Sequence, residues 1–252
     1  MIKFNDKTLE RFSRQIIIDK VGIKGQKKIV NTSLAIIGCG GLGTSAAQYL
    51  TMAGIGGVFL ADDDIVSLSN LNRQTLFLES DLKKNKAETL AKKLIQINPK
   101  LNINILPKKI SKKNISKFLK NYSILLDCSD NFETRYLLNK YSFQKKKILI
   151  SAGLENFDVQ LFSFSSWKNK NYPCYECIFP KNQKNKSLDC DQLGIISPVA
   201  GMGGVLQAMT VLNIILKLDQ KIFKEIILYD CLGRIFKKIN VEKNPTCKIC
   251  KI

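Results

Sequence analysis

The segment Gly38-Cys39-Gly40-Gly41-Leu42-Gly43 constrains this chain more than any other stretch. It directly follows the apolar run 34–37, and Asp62 closes the next apolar run, 58–61. A glycine turn therefore stands between a predicted strand and a predicted helix, with an acid at the tip of the following strand. Glycine lets backbone N–H groups approach phosphate, the helix N-terminus adds partial positive charge, and the acid accepts ribose hydroxyls. Dehydrogenases share this much. The continuation Ser69-Asn70-Leu71-Asn72-Arg73-Gln74 is different, because a dehydrogenase has no need of Asn, Arg and Gln just beyond its ribose acid. Those side chains suit a triphosphate.

The rest of the chain reads as alternating strands and helices. Apolar runs at 34–37, 58–61, 124–127 and 148–151 predict buried parallel strands. Helical patterns cover 43–53, 81–97 and 131–144, the second stopping at Asn98-Pro99. After residue 151 the pattern changes to antiparallel strands at 159–164, 226–229 and 234–241, with a polar loop over 167–192. The predicted fold is α/β: a doubly wound, Rossmann-like, mostly parallel sheet continued by antiparallel strands. One domain over 1–252 is expected, with a nucleotide-binding core at about 30–150 and a second region at about 151–252.

Several function classes drop out. With no histidine in 252 residues, no imidazole base and no His metal ligand is available. The formal charge of +19 is spread along the chain without interleaved aromatics, so no nucleic-acid partner is expected; a basic surface suits an acidic protein. The most apolar stretch, 205–216, is broken by Gln207 and Asn213 and reads as a buried or half-buried helix, not a membrane span. The N-terminus lacks the apolar core of a secretory signal, and a cytoplasmic location is expected.

The cysteines separate into three groups. Cys174-x-x-Cys177 and Cys247-x-x-Cys250 predict one tetrahedral zinc, structural because no coordination position stays open. Cys39, Cys128 and Cys231 adjoin or lie in apolar strands and read as small buried residues. Cys190 sits in a polar segment without a mate, a candidate nucleophile, although Asp189 and Asp191 beside it disfavour the thiolate.

These motifs together resemble the ThiF/MoeB/HesA family, relatives of the ubiquitin-activating E1 enzymes. The resemblance runs nearly end to end: Arg11-Phe12-Ser13-Arg14-Gln15, the turn Gly38 to Gly43, Ser69 to Gln74, Asp127-Cys128-Ser129-Asp130-Asn131, both C-x-x-C pairs, and the block from Cys190 through Gly194, Pro198, Gly201 and Gly204 to Gln207-Ala208. It implies adenylylation, by ATP and Mg²⁺, of the C-terminal glycine carboxylate of a ubiquitin-like sulfur carrier. The carrier region then coincides with the zinc region after residue 151.

By the same resemblance Asp62 binds ribose, while Gly38, Gly40, Gly41, Leu42 and Gly43 line the phosphate turn. Asn70, Arg73, Gln74 and Lys86 contact the triphosphate, Asp130 beside Asn131 holds Mg²⁺, and Arg14 reaches the partner subunit's ATP in a homodimer. Read without the resemblance, Lys86 is one more solvated lysine and Asp130 a helix N-cap; Arg135 could serve ATP or a partner. The cysteine matching Cys190 implies an acyl disulfide with the carrier, and the lack of a rhodanese domain implies a separate sulfur donor. The motifs look closest to ThiF, whose carrier ThiS serves thiamine thiazole synthesis, with a MoeB-type carrier of molybdopterin synthesis as the alternative. Cys39 and Asn72 depart from the family pattern, where Leu or Ala and Gln are usual.

Overall fold

A computed structural model describes residues 4–181, 194–219 and 221–251. One eight-stranded sheet runs through it in the order β3-β2-β1-β4-β5-β6-β7-β8. The strands are β1 (Ser33–Ile37), β2 (Gly57–Ala61), β3 (Asn102–Leu106), β4 (Ile124–Asp127), β5 (Ile148–Glu155), β6 (Asp158–Phe164), β7 (Glu225–Asp230) and β8 (Ile235–Asn240). The first five are parallel and the last three add antiparallel. The predicted fold class is thus observed.

The near-continuous apolar strands are explained by burial on both faces. In β1, Leu34 and Ile36 enter one core while Ala35 and Ile37 enter the other; β2 and β4 alternate in the same way. The first core is closed by α3 (Gly41–Ala53), α4 (Lys86–Ile97) and α8 (Ser197–Leu216), the second by α5 (Ile115–Leu119) and α6 (Phe132–Gln144). Two amino-terminal helices, α1 (Asp6–Ile16) and α2 (Gly22–Val30), precede β1, and a single turn, α7 (Tyr175–Ile178), interrupts the loop predicted over 167–192.

The structure moves two helix starts and adds one strand, while the apolar stretch 205–216 is the half-buried helix expected. The helix expected to start at Asp81 starts at Lys86; Asn85 caps it by accepting from the Glu88 amide at 3.1 Å, and Glu79–Asp81 is a separate 3-10 turn. β3 went unpredicted. The apolar helix α8 begins at Ser197, with Pro198 in its first turn, and is long and apolar enough by length and composition to cross a membrane. Here it is packed into the protein instead: Gly204 lies so close to α3 that a Cβ would meet the Leu42 carbonyl oxygen at 2.5 Å and the Ser45 Cβ at 2.6 Å.

The strand order reverses between β1 and β4. At such a switch point neighbouring connections leave in opposite directions and open a crevice at the carboxyl ends of the strands. The glycine turn follows β1 there, and the segment Cys128-Ser129-Asp130-Asn131 follows β4.

Candidate active site

The crevice is a cavity of about 640 Å³. The glycine turn forms its floor. Gly38 has φ +96°, which favours glycine, and a Cβ there would sit 2.5 Å from the Cys128 carbonyl oxygen, so the β1 and β4 connections meet at backbone distance. Gly38, Gly40, Gly41 and Leu42 line the cavity; Gly43 lies outside the lining, packed against the Gly38 carbonyl.

Asp62 stands at the wall after β2. Its carboxylate accepts from the Cys39 amide at 2.6 Å and the Asp64 amide at 2.9 Å. Burial lifts its pKa above the ordinary carboxylate value, against the pull of those two amides and of Lys86. Cys39 and Cys128, both buried, have thiols raised well above their ordinary value, first by burial, and neither is a reactive thiolate. They fit the small-core-residue expectation. Cys231 is only partly buried, in the turn between β7 and β8.

The segment after Asp64 folds back over the cavity. Asn70 is buried, closing a 3-10 turn by accepting from the Ser67 amide, and Arg73 donates to the Ser69 carbonyl at 3.0 Å. Gln74 is 3% exposed and lines the cavity, and its Oε1 has no hydrogen-bond partner among the described residues. A buried acceptor without a partner, on a residue that lines a cavity, fits a bound group that brings a donor, such as a hydroxyl or an amino group.

Lys86 begins α4. Only 6% exposed, it places Nζ 2.5 Å from Asp64 Oδ2, and so is far from a solvated lysine. Burial raises the Asp64 pKa, but the Lys86 hydrogen bond, the Ile65 amide and the Lys86 charge outweigh it and hold the carboxyl below its ordinary value.

Asp130 is exposed to the cavity. The helix-cap reading of it fails, because Asn131 caps α6 by accepting from the Thr134 amide at 2.9 Å. Arg135 is 8% exposed and donates to the Ser129 and Ala152 carbonyls, both at 3.2 Å, so it braces the wall of the cavity. Arg14 is exposed on α1 and is not among the residues lining the cavity of its own chain. Cys190 lies outside the described residues.

Sequence reasoning missed Lys108, Lys109 and Ile110, which follow β3 and line the cavity. Lys109 spans to Glu133 of α6 at 3.1 Å. Recognising β3 would have found them, since the loop after each parallel strand lies at the site.

The four predicted zinc ligands converge. Every pair among the sulfurs of Cys174, Cys177, Cys247 and Cys250 lies within 4.8 Å, with 3.6 Å between Cys174 and Cys247 and 3.4 Å between Cys177 and Cys250. These gaps are too long for disulfides and suit four thiolates around one ion. Hydrogen bonding to the Cys177 and Cys250 sulfurs, with burial, holds the proton on Cys174. A cation at the centre would displace that proton, and four converging cysteine sulfurs fit zinc. Asn139 supports the cluster, donating to the Cys174 sulfur at 3.6 Å and accepting from the Tyr175 amide at 3.0 Å.

The model of the ThiF family matches residues 12–249. The sulfur carrier protein ThiS adenylyltransferase of Escherichia coli strain K12 is 33% identical over 247 residues, covering 98% of this chain and 96% of that protein. The adenylyltransferase and sulfurtransferase MOCS3 of Drosophila virilis is 36% identical over 248 residues; the chain spans about half of that relative, 54%. Among solved structures, E. coli MccB with ATP superimposes with a TM-score of 0.82 at 26% identity, over 98% of this chain and 75% of that one. The family model's match over residues 12–249, with a relative 33% identical over nearly the whole of both chains, makes this chain a member of the ThiF family and an adenylyltransferase.

Proposed function

We propose that this chain adenylylates the C-terminal glycine carboxylate of a ubiquitin-like sulfur carrier, using ATP. The observation that carries the reading is the convergence, in one cavity at the sheet's switch point, of the glycine turn, Asp62, Asn70, Arg73, Gln74, Lys86 and Asp130. In the proposed reaction a carboxylate oxygen of the carrier attacks the α-phosphorus. The new O–P bond forms as the bond to the bridging oxygen breaks, and the electron pair leaves with pyrophosphate. The attacking group is already ionised, so no general base is needed and the lack of histidine is no obstacle.

What the site must supply is offset of anion–anion repulsion and stabilisation of the charge leaving on pyrophosphate. Arg73 and Lys86 stand within the cavity to do so, with backbone amides at the turn, while Asp62 accepts the ribose hydroxyls. Asp130, a carboxylate facing the cavity with the helix cap supplied by its neighbour, fits a hard divalent cation, and Mg²⁺ there would neutralise phosphate charge. Arg14, exposed on α1, fits delivery to the nucleotide of a partner subunit, which makes a homodimer part of the proposal.

The residue 30–150 portion would then bind nucleotide, and the portion after 151, with its zinc, would receive the carrier, all as one cytoplasmic unit. Sulfur would come from a separate donor, with Cys190 taking part in its handover. We assign the carrier to the ThiS type, serving thiamine thiazole synthesis. The likeness to MOCS3 favours a second reading, a MoeB-type carrier of molybdopterin synthesis. Incubation with purified carriers ending in Gly-Gly, read as ATP–pyrophosphate exchange and as the carrier's mass gain of AMP, tests both. Exchange with a ThiS-type carrier supports the assignment, exchange only with a molybdopterin-type carrier replaces it, and exchange with neither refutes adenylylation.

A further inference from the structure

Asp127 closes β4, is fully buried, and is not itself among the residues lining the cavity. Its two carboxylate oxygens are nevertheless engaged. Oδ1 accepts from the Ser129 amide at 3.1 Å and from the Ser129 hydroxyl at 2.5 Å, and Oδ2 accepts from the Ser151 hydroxyl at 2.7 Å. Its main-chain oxygen accepts from Gln207 Nε2 of α8 at 2.9 Å, and Gln207 Oε1 in turn accepts from the Cys128 thiol at 3.2 Å. Next along the chain, the Cys128 amide donates to the Ile37 carbonyl at 2.8 Å and the Ser129 carbonyl accepts from Arg135 at 3.2 Å. The amide, hydroxyl and carbonyl of Ser129 are thus all held from within the protein.

A buried carboxylate is a poor way to gain stability, since desolvation cancels much of what its partners return. It is an effective way to fix a conformation. Here the fixed segment is the three residues immediately before Asp130, held from β1, β5, α6 and α8 at once. We infer that Asp127 is a positioning residue for Asp130: its carboxylate, gripping Ser129 and Ser151, sets the backbone that presents Asp130 to the metal of the bound nucleotide. The inference rests on the adenylylation reading, and it gives the first aspartate of Asp127-Cys128-Ser129-Asp130-Asn131 a role distinct from that of the second.

The test is metal affinity, measured apart from turnover. Titration calorimetry of Mg²⁺ into the full chain saturated with a non-hydrolysable ATP analogue would compare the parent with Asp127→Asn, Ser151→Ala and a control, Leu119→Ala, a buried residue of α5 outside the cavity lining. Residues that orient a metal ligand typically change affinity by about 10–100-fold when altered. Asp127→Asn should weaken Mg²⁺ binding by about 10-fold or more, and Ser151→Ala should weaken it to a smaller degree. Metal-free affinity for the analogue should stay unchanged in both. Leu119→Ala should lower the melting temperature and leave Mg²⁺ affinity at the parental value. Variants that melt earlier yet bind Mg²⁺ within twofold of the parent would overturn the inference, and Ser151→Ala decides it alone if Asp127→Asn fails to fold. A parent without Mg²⁺-dependent nucleotide binding would instead bring down the adenylylation reading, a distinguishable result.

Discussion

Replacing Lys86 by methionine removes one charge while keeping most of the buried stem. Four carboxylates line the cavity among the described residues, Asp62, Asp63, Asp64 and Asp130, against five cations, Arg73, Lys86, Lys108, Lys109 and Arg135. Without Lys86 the two sets are equal in number, and Asp64 loses the cation that holds it. The site would then face a polyphosphate with no net positive lining. Losing one oriented group of this kind costs about 10²–10³ in rate, or about 2.7–4 kcal/mol of transition-state stabilisation. The fold should lose far less. Asp64 is 61% exposed at its side chain, so its pair with Lys86 contributes at most about 1 kcal/mol after solvent screening.

Carrier-dependent pyrophosphate exchange by Lys86→Met should therefore fall about 100–1000-fold, and the melting temperature by no more than about 4 °C. Asp64→Asn serves as the companion: it dissolves the same pair, leaves the cation, and should keep exchange within a few-fold of the parent. A Lys86→Met protein that exchanges within threefold of the parent refutes the assignment of Lys86 to the triphosphate. So does an Asp64→Asn protein as inactive as Lys86→Met, since the pair itself would then be what matters.

Three further outcomes are expected. Metal analysis should find about one zinc per chain, and Cys247→Ser or prolonged chelation should lower the melting temperature while nucleotide affinity is retained; structural zinc is worth about 10–16 kcal/mol in zinc-finger peptides, an upper bound here. Burial raises the Asp81 pKa, but Lys93 at 2.9 Å, the Leu78 amide at 3.1 Å and Lys84 at 3.4 Å hold it below the ordinary value, so its contribution is complete above about pH 4 and is lost as pH falls through the lower folded value. Urea unfolding of Asp81→Asn should show a deficit of about 1–3 kcal/mol at pH 7 that closes in acid; a deficit constant with pH would contradict this. Cys190→Ser should leave carrier adenylylation intact and block sulfur transfer to the carrier, and equal loss of both would remove Cys190 from the sulfur step.

The parallel half of the fold was legible because doubly buried strands write themselves as unbroken apolar runs. β3 escaped for the same physical reason in reverse: it is an edge strand, and in Asn102-Ile103-Asn104-Ile105 the asparagines are exposed while Leu106 is buried. Missing it hid Lys108 and Lys109. The zinc cluster was legible from spacing, because two ligands three residues apart reach one ion and four small side chains need no further context. Asp62, Lys86 and Asp130 were legible as residue types in a pattern, but their surroundings were not. Nothing local indicates that Lys86 is buried against Asp64, or that Asn131 and not Asp130 caps α6. Both depend on the path of residues 64–85 and of the β4 connection. The network on Asp127 was out of reach, since Ser151 and Gln207 are 24 and 80 residues away.

The close fit of Gly204 against α3 has a consequence for how α8 can change. Gly204 and Gln207 are three residues apart, so they point to nearly the same side of the helix, one wedged under Leu42 and the other reaching the end of β4. A single residue inserted between them would turn everything downstream by about 100°. The glycine would stay seated, and the glutamine would swing away from the strand it holds. Substitutions along the outer side of α8 leave this phase untouched, whereas a shift of one position within those three residues would detach the helix from the nucleotide cleft without altering any side chain in the cleft itself.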